Sequence, residues 1–361
     1  TCDVVPFRML LRKLEAHGIR GNLLNWLSDW TKGRAQRVVL NGINSSWADV
    51  LSSVVQGSVL GPVLFTIFIN DIDTVITDPR TKMFKYADDS KFGRPICSET
   101  DALSLQSAID NVCRWAQKWG MEIHPEKTHV LHFGYGNPEF EYSLNGTKIS
   151  SVESARDLGV TIHSSCTPSE HVVNIAKKAN GILAQLNRTL ICRNQEIIVS
   201  MFKTFIRPII ESAGVAWCPW ERKDIDFLEK IQRRATRQIP GIGKLSYEER
   251  LNRCKLTTLE CRRERGDMVE VFKIVHGITN LNAAMFFNFT NQRHDVATRS
   301  AINNNLVPEK CRLDIRKHFF SNRVVHAWNA LPVDVREAAS VNNFKNLYDE
   351  WIKTEADDSM L

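Results

Sequence analysis

Two adjacent carboxylates, Asp88 and Asp89, lie in the run Phe84-Lys85-Tyr86-Ala87-Asp88-Asp89-Ser90. Residues 82–86 alternate, the pattern breaks at Ala87-Asp88-Asp89, and it resumes over 90–92. This predicts a β-hairpin with both acids at its tip. Neighbouring carboxylates repel each other unless water or a cation takes up their charge. Their hard oxygens suit Mg²⁺, which accepts one or two carboxylates and keeps its remaining positions for water and phosphate. Asp-Asp is also an ordinary turn dipeptide, so the pair gains chemical meaning only from its surroundings.

Those surroundings include Gln56-Gly57-Ser58-Val59-Leu60-Gly61-Pro62. Pro62 suits the first position of a helix that buries Leu64, Phe65, Phe68, Ile69 and Ile72. Glycine in such a box removes the Cβ obstruction and lets backbone approach a partner closely. With the Asp-Asp run placed after it, the sequence resembles the reverse transcriptases of non-LTR retrotransposons of the jockey-like kind. The Tyr-Ala-Asp-Asp box looks like polymerase motif C. The Gln-Gly-Ser-x-Leu-Gly-Pro box, with the helix ending Ile69-Asn70-Asp71-Ile72, looks like motif B. Gly120-Met121-Glu122-Ile123-His124-Pro125-Glu126-Lys127-Thr128 is similar to motif D, with His124 where the family usually has Asn. Asp157-Leu158-Gly159-Val160 looks like the primer-grip strand. The runs 228–237 and 319–329 resemble the C-terminal stretch of such elements, so the likeness covers nearly the whole chain.

The resemblance implies a chemistry: a primer 3′-hydroxyl attacks the α-phosphate of a dNTP on an RNA template. It implies Mg²⁺ or Mn²⁺ as cofactor, with Asp88 and Asp89 as metal ligands. Lys127 would lie near the leaving pyrophosphate. Gln56, Gly57, Ser58 and Tyr86 would meet the template, primer and dNTP, and Leu158 and Gly159 the primer. Thr1-Cys2-Asp3-Val4-Val5-Pro6-Phe7 matches the run just after the first catalytic Asp of motif A, and Asp3 matches that motif's second, non-ligating Asp. The chain is therefore expected to start after one metal ligand and after the fingers, and to be inactive alone. The alternative is a non-catalytic nucleic-acid-binding remnant of such an element.

The elements that must hold these residues follow from periodicity. Helices are expected over 7–17, 22–30 and 101–119, and a hairpin around Asn41-Gly42. Short strands are expected over 130–133, 140–144 and 158–162. Beyond Pro168 the period becomes helical: 169–190, 195–206, 224–239, 247–252, 259–276 and 314–330. The fold class is α+β: a partial polymerase palm over 1–165, a helical thumb-like region over 166–245 and a C-terminal helical region over 246–361. Residues 280–308 read as a loop and the acidic end after Lys353 as frayed.

Charge divides the same way. Net charge is +6 over 361 residues, being −1 over 1–165, +11 over 166–330 and −4 over 331–361. The basic middle suggests a polyanion partner. Its sharpest feature is the helix carrying Lys230, Arg233, Arg234 and Arg237, whose other reading is a salt-bridged face with Asp226 and Glu229. Arg312, Arg316, Lys317 and Arg323 form a second cluster. Nine cysteines without a CxxC pair fit free thiols in a reducing, nuclear and cytoplasmic setting. His163, Cys166 and His171 are the best zinc candidate but lack a fourth ligand. Cys254 and Cys261 read as thiols on helices. The longest apolar run, 59–69, is broken by Gly61, Pro62 and Thr66 and is too short to span a bilayer. The expected partners are RNA template, DNA primer and dNTP, with no membrane; oligomeric state is not readable.

Overall fold

The computed structural model describes residues 5–55, 57–290 and 304–358, with side chains through 355. About 53% of the described residues are helical, and the strands form small sheets. The chain divides into two compact units, Thr1–Glu153 and Ser154–Leu361.

The first unit starts with α1 (Phe7–Ala16) and α2 (Gly21–Thr31). Next comes an arm of two stacked pairs: β1 (Ala35–Gln36) with β4 (Ala48–Asp49), and β2 (Val39–Leu40) with β3 (Ile43–Asn44). Asn41 and Gly42 both take positive φ at the tip, which is the reason the Asn-Gly pair is legible as a turn. Every residue from 35 to 49 is exposed. Then follow α3 (Leu60–Ile69), β5 (Lys82–Tyr86), β6 (Asp89–Gly93) and α4 (Glu99–Lys118). Ser98 caps α4 by accepting from Asp101 N. The unit ends with β7 (His129–Leu131), β8 (Ser143–Leu144), β9 (Thr147–Lys148) and β10 (Ser150–Val152). β7 and β10 pair in parallel, and β8 with β9 antiparallel. The core joins Leu10 and Leu14 of α1, Leu64, Phe65 and Phe68 of α3, and Val112, Trp115 and Ala116 of α4.

The second unit opens on the hairpin β11 (Ser154–Asp157) and β12 (Val160–His163), which leads into α5 (Ser169–Thr189). Then come α6 (Gln195–Met201), α7 (Arg207–Glu211), α8 (Gly214–Trp217), α9 (Arg222–Arg237), α10 (Tyr247–Cys254) and α11 (Leu259–Val275). β13 (Asn288–Phe289) pairs with β14 (Leu306–Val307), and α12 (Asp314–Lys317), α13 (Phe320–Ala330), α14 (Val333–Arg336) and α15 (Val341–Asp358) complete it. Its cores gather α5, α9 and residues 202–210 in one cluster and α11, α13 and α15 in another.

Several elements differ from their sequence reading. Leu158 and Gly159 are not strand residues. They take φ of 47° and 88° and form the turn between β11 and β12, because the ladder pairs Asp157 with Val160. The helix expected over 195–206 continues to Glu211 through a π turn, Phe202–Ile206. Pro208 has no N–H to donate to the preceding turn, and the widened turn accommodates that loss. The helix expected over 314–330 breaks at His318-Phe319, where Arg323 Nη1 donates to the His318 carbonyl at 3.2 Å. The end read as frayed is helical to Asp358, held where Phe344 stacks on Phe272 at 4.5 Å and on Trp328 at 6.1 Å. Within the loop read over 280–308, β13 and β14 pair, while 291–303 lie outside the described residues.

Candidate active site and nucleic-acid surface

β5 and β6 are joined by two residues, Ala87 and Asp88, with Tyr86 opposite Asp89. Ala87 takes φ of 49°, a left-handed value that lets the strands reverse over so short a loop. Alternation sorts the side chains. Met83 and Phe92 pack against the core, whereas Phe84 and Tyr86 are 60% and 66% exposed on the other face. Asp88 and Asp89 are both exposed. No hydrogen bond or ion pair joins either carboxylate to a cation among the described residues. No group of three His, Cys, Asp or Glu residues suited to a metal occurs among the described residues. The pair therefore offers hard oxygen donors on open ground, a donor set that fits Mg²⁺ when water and phosphate complete the shell. Asp3 lies outside the described residues.

The glycine-rich box forms the turn before α3. Gln56 lies outside the described residues. Gly57 takes φ of 73°, and a Cβ there would meet nothing within 4 Å, so the position is open as well as left-handed. Ser58 Oγ donates to Val55 O at 2.6 Å and accepts from Gly61 N at 2.9 Å. Its hydroxyl thus braces the turn. A Cβ at Gly61 would lie 2.7 Å from Val55 O, so glycine is needed there for closeness. Pro62 is the third residue of α3 rather than the first. The helix starts earlier because Ser58 receives the Gly61 N–H.

Lys127 ends a 3-10 turn, Pro125–Lys127, and Thr128 separates it from β7. It is exposed, and no hydrogen bond or ion pair ties it to the hairpin among the described residues. The structure therefore brings Tyr86, Asp88 and Asp89 together and leaves Lys127 on a separate element. Leu158 and Gly159 belong to the second unit, as does the basic helix.

On α9 the buried stripe is Ile225, Leu228, Ile231 and Ala235, and Lys230, Arg233, Arg234 and Arg237 are all exposed. Neither acid of the salt-bridged reading meets them. Asp226 pairs with Arg222 at 3.0 Å. Glu229 is buried, accepting from Leu259 N at 3.0 Å and bonding the Tyr247 hydroxyl. Burial and then this carboxylate push the Tyr247 phenol well above its usual range. Arg233 lies over the Tyr247 ring at 4.7 Å, and Arg234 reaches Asn180 Oδ1 of α5 at 3.4 Å. The face thus keeps its positive charge available for an outside anion.

The zinc candidate does not assemble. His171 is buried, its Nδ1 accepts from Thr161 N at 3.0 Å, and burial followed by the charge of Arg156 lowers its pKa. His163 Nδ1 meets Ser165. Cys254 is buried and Cys261 exposed, both unpaired.

Sequence reasoning missed Lys85, whose Nζ donates to Asn70 O at 2.8 Å and lies 2.9 Å from Asp73. Its signal was present: a lysine two residues after Met83 points to the inward side of the hairpin and needs a partner there. Lys13 was missed too. It is 3% exposed, yet it follows the α1 pattern as an ordinary polar residue.

Residues 3–162 match the family "Reverse transcriptase (RNA-dependent DNA polymerase)". The chain is 26% identical over 220 residues to the RNA-directed DNA polymerase from mobile element jockey of Drosophila melanogaster, covering 58% of this chain and 24% of that one. It is 25% identical over 233 residues to its Drosophila funebris counterpart, covering 61% and 25%. Against the retrovirus-related Pol polyprotein from a type-1 retrotransposable element of Popillia japonica it is 22% identical over 260 residues, covering 66% and 40%. The chain thus spans about a quarter of the length of the jockey polymerases. Residues 3–162 thus match the reverse transcriptase family, and the chain is similar to RNA-directed DNA polymerases of jockey mobile elements.

Proposed function

We propose that this chain carries part of an RNA-directed DNA polymerase that extends a DNA primer on an RNA template, with the hairpin tip as its divalent-metal site. One observation carries the reading. Asp88 and Asp89 sit exposed at the tip of the β5–β6 hairpin, Asp88 in its two-residue loop and Asp89 opening β6, with no cation partner among the described residues, inside the segment that matches the reverse transcriptase family. Unneutralised neighbouring acids are costly unless a cation is supplied. A bound Mg²⁺ or Mn²⁺ would lower the charge on reacting phosphate oxygens and on the primer hydroxyl. Asp88 would be the shared ligand and Asp89 an auxiliary one. Tyr86 would lie under the primer end, and open backbone at Gly57 would face the template and dNTP. Lys127 would neutralise the leaving pyrophosphate. In the second unit, the Leu158-Gly159 turn would touch the primer strand.

In this reading residues 1–165 are palm, 166–245 a thumb-like region and 246–361 a C-terminal helical region. Lys230, Arg233, Arg234 and Arg237 would lie along a phosphate backbone. Eight described cysteines, all unpaired, fit a nuclear and cytoplasmic setting. No helix among the described residues is long and apolar enough to cross a membrane.

The test is Mg²⁺-dependent binding of an RNA–DNA primer–template with the next dNTP. A matched dNTP should tighten the complex by about tenfold over a mismatched one, and Asp88→Asn should abolish the difference. Equal binding of matched and mismatched dNTP contradicts the polymerase reading. It leaves the alternative that the intact α9 face favours, a non-catalytic nucleic-acid-binding remnant.

A further inference from the structure

Three elements that bear motif residues meet at one short turn, residues 68–73. From one side comes Lys13 of α1, the helix that begins at Phe7. Its ammonium donates to Phe68 O at 2.7 Å and pairs with Asp71. It sits 5.2, 4.4 and 4.0 Å from the ring centres of Phe68, Trp115 and Trp119. Rings and carboxylate together compensate a charge that burial disfavours; burial lowers the Lys13 pKa, and the bond to Asp71 opposes that. From the other side comes Lys85 of β5, holding Asn70 O and Asp73. The turn itself ends α3, the helix of the glycine-rich box.

A two-stranded ribbon alone is marginally stable in water. Met83 and Phe92 anchor its base in the core, while Phe84, Tyr86, Asp88 and Asp89 face solvent. Lys85, paired with Ser90, is the last inward-facing residue of β5 before the loop. Without it β5 loses its tie to the 70–73 turn, and the inward anchor of that strand retreats to Met83.

We infer that Lys85 is a positioning residue for the Asp88-Asp89 loop: by holding Asn70 and Asp73 it fixes the angle at which that loop meets a divalent cation, with Lys13 locking the same turn from behind. The inference rests on the metal-site reading above. It also makes a prediction of opposite sign from simple electrostatics. Removing a positive charge three residues from Asp88 should, by Coulomb's law alone, tighten cation binding. Loss of positioning should weaken it.

The experiment uses the full chain and Lys85→Met, which keeps the apolar stem, with Lys85→Arg as the conservative variant. Mn²⁺ affinity is read from water-proton relaxation. Amide hydrogen exchange is read over 84–91, with α4 as internal reference. Lys85→Met should weaken Mn²⁺ binding about tenfold, the range seen when residues behind metal ligands are changed. It should speed exchange over 84–91 while α4 stays protected, and Lys85→Arg should restore both. Unchanged or tighter Mn²⁺ binding with unchanged exchange overturns the inference. Should the unaltered chain and Asp88→Asn bind Mn²⁺ alike, the metal-site reading fails. Exchange over 84–91 then still decides whether Lys85 holds the hairpin.

Discussion

Two pairs of carboxylates lie in the first unit, and they are treated in opposite ways. Asp78 and Asp101 share the fully buried guanidinium of Arg94, at 2.8 and 2.7 Å. Arg80 adds a contact to Asp101 at 3.0 Å, Ser104 Oγ donates to Asp78 at 2.8 Å, and Cys97 N donates to Asp101 at 3.0 Å. Asp88 and Asp89 have no such company among the described residues. The first pair joins the start of α4 to the segments on either side of the β5–β6 hairpin; the second is held out at its tip. A protein that neutralises one acid pair so thoroughly leaves the other exposed where an outside cation can reach it.

The largest test of that contrast is Arg94→Met. It strands two carboxylates around an apolar side chain, and breaking a buried pair from one side is strongly destabilising. The melting temperature, followed by circular dichroism, should fall on the order of 10 °C. Asp88→Asn with Asp89→Asn should leave it unchanged or raise it slightly. Equal losses in the two would erase the distinction.

Acid sharpens the same comparison. Backbone donation at Arg80, with the Ser104 and Arg94 contacts, holds the Asp78 carboxyl at about 2, against an ordinary value of 3.8. A lowered folded-state pKa means stability present above the unfolded value and lost as pH falls from there toward 2. Denaturant midpoints measured from pH 5 down to pH 2.5 should therefore decline. The decline should be shallower in Asp78→Asn.

In the second unit, Arg234→Gln with Arg237→Gln should leave stability intact and weaken binding of an RNA–DNA duplex. The slope of log affinity against log salt should drop by about two, one for each phosphate that is no longer neutralised. An unchanged slope would remove α9 from the interface. The smallest effect is expected at Ser58→Ala. Without its bonds to Val55 O and Gly61 N, the chain should be about 1 kcal/mol less stable in chemical denaturation.

What the sequence made legible follows from how local each signal is. The hairpin at 82–93, the Asn41-Gly42 turn and α4 are set by alternation, turn chemistry and a serine cap within a few residues, and all are present. The Ala87-Asp88 loop was legible for the same reason. The 158–159 turn was missed because Leu is an unusual left-handed residue, and only the β11–β12 register reveals it. The break at His318 depends on Arg323 turning back to the His318 carbonyl, a bond that apolar spacing does not encode. The last helix did have a signal: Val341, Phe344, Tyr348 and Trp351 recur at helical spacing, but the acidic residues that follow them obscure it. Lys13 and Lys85 belong to neither class. Alternation places Lys85 on the inward side, but the partners of both lysines lie 55 and 15 positions away, which periodicity does not report.

The most direct test of the account is a Mn²⁺ titration of the chain followed by electron paramagnetic resonance, compared with Asp88→Asn/Asp89→Asn. The account predicts one saturable site in the unaltered chain, weakened at least about tenfold in the double variant, with both proteins equally folded. The same affinity in both would place any bound ion elsewhere and contradict the assignment of Asp88 and Asp89 as the metal-binding pair.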